Sequence, residues 1–132
     1  MMTEEQADAL ANVEATFSDH VVDHEETDDG GLWIIVRQVA IGDGWNRALI
    51  DLAVKLQVTF PSSMPYPFYC EPGLARTDGQ NFSPVQPAVD IGAGVTRTQL
   101  SLTVQGQQQF DTANETLGSR FVAVIAWLRS PR

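Results

Sequence analysis

Cysteine is nearly absent from this chain of 132 residues: Cys70 stands alone, so an intrachain disulfide cannot form. Histidine is almost as scarce, with only His20 and His24, and without a cluster of Cys and His no zinc site of the familiar kind, and no cofactor, is expected. No run approaches the roughly 18 apolar residues that a bilayer-crossing helix needs. No basic-then-apolar segment stands at the N-terminus either, so a soluble cytoplasmic protein without a membrane partner is expected. Basic residues are missing from the beginning of the chain, where the first is Arg37 and ten of the seventeen acids precede residue 30. Beyond residue 30 the chain carries seven acids and eight bases and is nearly neutral. Clustered Lys and Arg are what a phosphate backbone requires, so nucleic acid is not an expected partner. The acidic segment reads either as a solvating face or as a contact surface for a basic protein. In the second case binding should weaken as salt shortens the Debye length to about 8 Å.

What is present is one ordinary globular domain over residues 1–132, 43% hydrophobic and large enough to bury a core. The strongest signal is the strict alternation from Ile50 to Phe60, with Ile50, Leu52, Val54, Leu56, Val58 and Phe60 on one phase. Such a run predicts a strand with one wet and one buried face. Ahead of it, Thr3 and Gln6 form a capping box, and Leu10, Val13 and Phe17 make one apolar stripe of a helix. A short strand starts within Val21 to Asp23, and Asp28-Asp29-Gly30-Gly31 supplies a tight reversal into a strand from Leu32 to Ile41. A second turn, Gly42-Asp43-Gly44, leads through Trp45 and Asn46 into the alternating strand. A fourth strand is expected at Phe68 to Cys70. From Pro72 the chain loses periodicity for some twenty residues, which predicts a long irregular loop. Leu100, Leu102 and Val104 alternate again, a weak signal of a short strand. Thr112 and Glu115 predict a second capping box, and Leu117, Phe121, Val124, Ile125 and Leu128 the buried stripe of a last helix. Gly118 interrupts that helix at a cost of about 1 kcal/mol relative to alanine.

The fold expected is therefore α+β: an N-terminal helix, a four-stranded antiparallel meander, an irregular loop and a C-terminal helix. Leu10, Phe17, Ile34, Val36, Leu52, Val54, Leu56, Val58, Phe121 and Ile125 should be buried. Trp45 and Tyr66 read as core or rim aromatics, and Asp111 and Glu115 as charges at a helix N-terminus. His20 and His24 with Asp23 or Glu25 would make a metal site only if a helix aligned them, whereas this segment reads as a helix end running into a strand. Cys70 is the one candidate catalytic residue. A nucleophilic thiol needs exposure and a basic neighbour or helix N-terminus, whereas Cys70 sits between Tyr69 and Glu71 on a strand, and a carboxylate raises a thiol pKa.

This order of elements, with Val58-Thr59-Phe60-Pro61-Ser62-Ser63-Met64-Pro65-Tyr66-Pro67 at its centre, resembles the ubiquitin-conjugating (E2/UBC) superfamily. There the corresponding strand ends in Phe-Pro and continues toward Tyr-Pro. Cys70-Glu71-Pro72-Gly73-Leu74, Asp78-Gly79 and the late helix resemble more narrowly the bacterial E2-like family E. The resemblance implies a domain of a ubiquitin-like protein conjugation system, with a ubiquitin-like protein and an E1-like activator as partners. It also implies a thioester cysteine in the irregular segment after a His-Pro-Asn motif. That motif does not occur here, and residues 73 to 111 contain neither Cys nor His. Three readings follow: an E2-like module that binds without chemistry, an active enzyme carrying its thioester on Cys70, and an acidic interaction or immunity-type protein unrelated to conjugation.

Overall fold

The computed structural model describes residues 1–102, 113 and 115–131. Helix α1 (Glu4–Thr16) is followed by strands β1 (Val22–Glu26), β2 (Leu32–Ala40), β3 (Leu49–Leu56), β4 (Phe68–Cys70), β5 (Val85–Asp90) and β6 (Thr96–Leu100), and by helix α2 (Leu117–Arg129). All six strands join one sheet in the order β1-β2-β3-β4-β6-β5, and every pairing is antiparallel. The sheet therefore has six strands, not the expected four. The meander β1 to β4 stands as read, and the stretch expected to be a structureless loop holds the β5–β6 hairpin. That hairpin is hard to see because β6 is mostly polar and Pro87 of β5 cannot donate to a ladder. Proline is tolerated there because β5 is an edge strand.

Helix α1 begins as its sequence dictates. Thr3 accepts a hydrogen bond from the Gln6 amide and the Gln6 side chain accepts one from the Thr3 amide. Gln6 does more than cap: it is fully buried, and its Nε2 lies 3.0, 3.3 and 3.2 Å from the carbonyl oxygens of Gly30, Leu56 and Gln57. One side chain thus ties the first helical turn to the β1–β2 turn and to the end of β3.

Both helices cover one face of the sheet. Phe121 of α2 meets Phe68 of β4 edge-on at 4.9 Å and Phe17 at 5.9 Å. The inward phase of β2 and β3, from Leu32, Ile34 and Val36 to Ile50, Leu52, Val54 and Leu56, is buried to 0% exposure. A bulge between Val36 and Val39 shifts the register by one residue, so that Val36 and Val39 both point inward and Arg37 points out. Gln38 takes the positive φ of the bulge, and its amide donates to Asp51 Oδ1 at 2.9 Å.

Strand β3 ends at Leu56, four residues short of the alternation. Residues 58–61 turn, so Val58 is half exposed instead of buried and rests against Gly30. Phe60 regains the core from the turn. Helix α2 starts later than expected: Thr116 caps it with Ser119 in a reciprocal box, while Thr112 and Asp111 lie outside the described residues. Glu115 instead forms a two-pronged pair with the buried Arg120, at 2.8 and 3.0 Å. Gly118 is no flaw in the helix. Its amide donates to Asn12 Oδ1 at 2.8 Å, and an added Cβ would come within 2.8 Å of Thr16 Cβ, so glycine is what lets α1 and α2 approach.

Candidate functional site

Cys70 closes β4 on the same phase as Phe68, directly opposite Thr98 of β6. That phase faces the helices, and the residue is 2% exposed. The thiol lies 3.6 Å from the Glu71 carbonyl oxygen. Above it the chain is tied down through Thr98, whose hydroxyl accepts the Leu74 amide at 3.1 Å and reaches the Glu71 carbonyl at 2.7 Å. Burial, with a smaller contribution from the Glu71 carboxylate, pushes the Cys70 thiol up to about 12, against a partial opposing effect of its hydrogen bond with Thr98. The thiolate is the reactive form of cysteine, and burial at this position favours the protonated thiol.

A pH dependence follows. The folded chain holds the Cys70 proton more tightly than the unfolded chain, so the group contributes stability in full below its ordinary value of 9.0 and loses it as the pH rises through about 12. The urea midpoint of the parent should therefore fall more steeply between about pH 9 and about pH 11 than that of Cys70→Ala. Parallel slopes would mean that the thiol is not held protonated by the fold.

The segment after β4 is stapled to the turn before β3. Asn46 donates its amide to the Ala75 carbonyl at 2.9 Å, accepts the Ala75 amide on Oδ1 at 3.1 Å, and donates Nδ2 to the Gly73 carbonyl at 2.9 Å. Next to it Trp45 donates its indole N–H to the Leu128 carbonyl at 2.7 Å, while the Arg76 guanidinium stacks 5.0 Å from the Trp45 ring. Glu71 extends the β3–β4 contact beyond its last backbone pair by accepting the Asp51 amide at 3.0 Å. The chain downstream of Cys70 is thus built into the body of the fold.

The opposite face of the sheet is open. A groove of about 860 Å³ crosses it, floored by the outward phase of the strands and closed at one end by the β5–β6 hairpin. Ile35, Ala53 and Tyr69 are register partners in neighbouring strands and form an apolar row. Trp33 lies beside it and meets Tyr69 edge-on at 5.6 Å. All four are half-buried. Burial of Tyr69 raises its phenol pKa, with a smaller effect from Tyr66. Charged groups flank the row: Arg37 bonds Asp23 at 2.7 Å and Asp51 at 3.1 Å, and Lys55 bonds Asp29 at 2.8 Å. The Arg37 guanidinium is raised by these two carboxylates, and Asp29 is held well below the usual carboxylate range, first by Lys55 and then by Thr27.

The sequence reading did not single out this face, although one signal pointed to it. Leu32 to Val36 contains no polar residue, and an antiparallel strand that is apolar on both phases contacts something on each side. The two histidines do not converge. His20 packs edge-on against Phe17 at 5.7 Å, and His24 is exposed on β1. Trp45 is buried, whereas Tyr66 is 39% exposed at the groove.

Comparison with known proteins gives one match. A family model described as prokaryotic E2 family E covers residues 10–116. No curated protein and no solved structure matches the chain.

Proposed function

The chain belongs to the prokaryotic E2 family E, and from that premise we propose that it serves a bacterial ubiquitin-like protein conjugation system as a non-catalytic binding module. The observation that carries this reading is the position of its single cysteine. An acyl carrier must bring its sulfur against an activated carboxyl terminus, in the ionised form and within bonding reach. Cys70 is 2% exposed, its thiol is pushed up to about 12, and its neighbouring segment is hydrogen-bonded over it. Strand geometry fixes the side chain on the helix-facing phase, so exposing the sulfur would require β4 to leave the sheet.

The open face of the sheet is the surface left for a partner. Its half-buried aromatic row can bury apolar area on association, and its bases Arg37 and Lys55 are already paired with carboxylates, so these two add little desolvation cost. A ubiquitin-like protein held there would be presented to an E1-like activator or to a target without a covalent step on this chain.

Calorimetric titration of a prokaryotic ubiquitin-like protein into three forms of the chain tests this reading. Binding should be unchanged in Cys70→Ala and at least about tenfold weaker in Trp33→Asp, which places a charge in the apolar row. Loss of binding in Cys70→Ala, with Trp33→Asp unaffected, would transfer the function from the sheet face to the cysteine.

A further inference from the structure

We propose that the groove on the open sheet face receives an extended cationic segment of a protein partner, which lays an apolar side chain on Trp33 and Tyr69 and a Lys or Arg beside Glu25. This inference rests on the reading that the open face is the working surface, and adds the chemistry of what it holds.

Shape comes first. The row from Asp23 through Ile35, Ala53 and Tyr69 to Gln99 crosses five adjacent strands in register. Four strand spacings make roughly 19 Å, the reach of about six residues of extended chain. Residues of the β5–β6 hairpin line the far end, so the groove is long enough for a strand-like segment of a protein partner.

Charge selects the sign of the occupant. Both bases at the β1 side of the groove are already committed, Arg37 to Asp23 and Asp51, and Lys55 to Asp29. Glu25, the register partner of Trp33, lines the groove and meets no base among the described residues. At the hairpin end Arg97 and Asp90 both line the groove, so that end carries one charge of each sign. The uncompensated charge next to the aromatic pair is therefore negative. It continues outward into a chain segment with ten acids before residue 30 and no base before Arg37. A cation arriving at Glu25 gains a partner without breaking an existing pair, whereas an anion placed beside Glu25 is repelled.

The apolar requirement is independent of the charge. Trp33 and Tyr69 stand at 66° to one another with centroids 5.6 Å apart, so the edge-to-face pair offers one continuous half-buried apolar surface on which an aliphatic side chain can pack.

The test is ¹⁵N-resolved NMR of the full chain titrated with the peptide acetyl-Lys-Ile-Lys-Ile-Lys-Ser-amide. The proposal expects shifts at the amides of Trp33, Ala53 and Tyr69, and binding about threefold weaker in Glu25→Gln and weaker still at raised salt. Replacing the isoleucines by serine should weaken binding about tenfold or more. The peptide with glutamate in place of lysine should leave the three amides unmoved. Equal shifts with the glutamate peptide would overturn the cationic partner while leaving the open face as a docking surface. Shifts confined to the α1 acids, or no weakening on removal of the isoleucines, would overturn the groove as the site. The absence of any shift at Trp33, Ala53 and Tyr69 with every peptide would overturn both the inference and the sheet-face reading beneath it.

Discussion

Gln6→Glu is expected to lose about 3 to 5 kcal/mol of stability at neutral pH, the range for a buried charge left without a partner. The substitution is nearly isosteric and leaves the capping acceptor in place, since the side-chain oxygen that receives the Thr3 amide survives. What changes is the other end. Nε2 of Gln6 donates into a nest of three carbonyl oxygens, those of Gly30, Leu56 and Gln57. A carboxylate oxygen there would face three acceptors, in a site with 0% exposure. Protonation restores one donor, so the folded carboxyl should have a raised pKa. Stability of the variant should therefore be better kept below the ordinary Glu range of about 4.3 and be lost as pH rises above it. Chemical denaturation of parent and variant across pH measures this directly. A loss under about 1 kcal/mol would show that the helix-to-turn clamp is not formed as described.

The second large effect is Leu56→Ala, which should cost about 2 to 5 kcal/mol by transfer and cavity formation. Leu56 is 0% exposed, ends the inward row of β3, and is paired in register with the equally buried Leu32. Its neighbour Gln57 is exposed and contributes only its backbone carbonyl to the Gln6 clamp. Gln57→Ala should accordingly be nearly silent, within about 0.5 kcal/mol. Urea midpoints of the two variants give the comparison, and similar losses at both positions would mean that the alternation does not set the buried face.

These two positions also mark what could be read from residues alone. The period-2 pattern placed Leu56 inside, and the Thr3–Gln6 spacing placed the helix start, because both depend on neighbours a few residues apart. The three-carbonyl clamp was not legible, since it joins Gln6 to residues 24, 50 and 51 positions away. The same distinction explains Val58. Alternation continued through it, but a strand ends where its partner ends, and β2 begins at Leu32, opposite Leu56. The β5–β6 hairpin escaped notice because β6 inserts between β4 and β5 and gains its stability from that non-local pairing. Its turn was nevertheless signalled by Gly92 and Gly94, both at positive φ. For Gly118 the reading from helix propensity was incomplete: the cost to the isolated helix is offset by the contact it permits with Asn12 and Thr16.

The site was legible on one side of the sheet only. The phase of β4 and the carboxylate beside Cys70 already argued for a thiol turned to the core. The groove was hidden because Trp33 and Tyr69 are distant in sequence and their rings meet across β3, which lies between their strands. An apolar outward phase on β2 was its single local trace.

The claim at the centre of this account is that Cys70 carries no acyl group, and a non-reducing gel tests it most directly. The chain and Cys70→Ala are incubated with an E1-like activator, a ubiquitin-like protein and ATP, and each sample is split and run with and without thiol. The account predicts that no adduct of this chain appears in either lane, with noncovalent binding intact in both forms. A thiol-sensitive adduct in the parent that is absent from Cys70→Ala would contradict it and make Cys70 the catalytic residue.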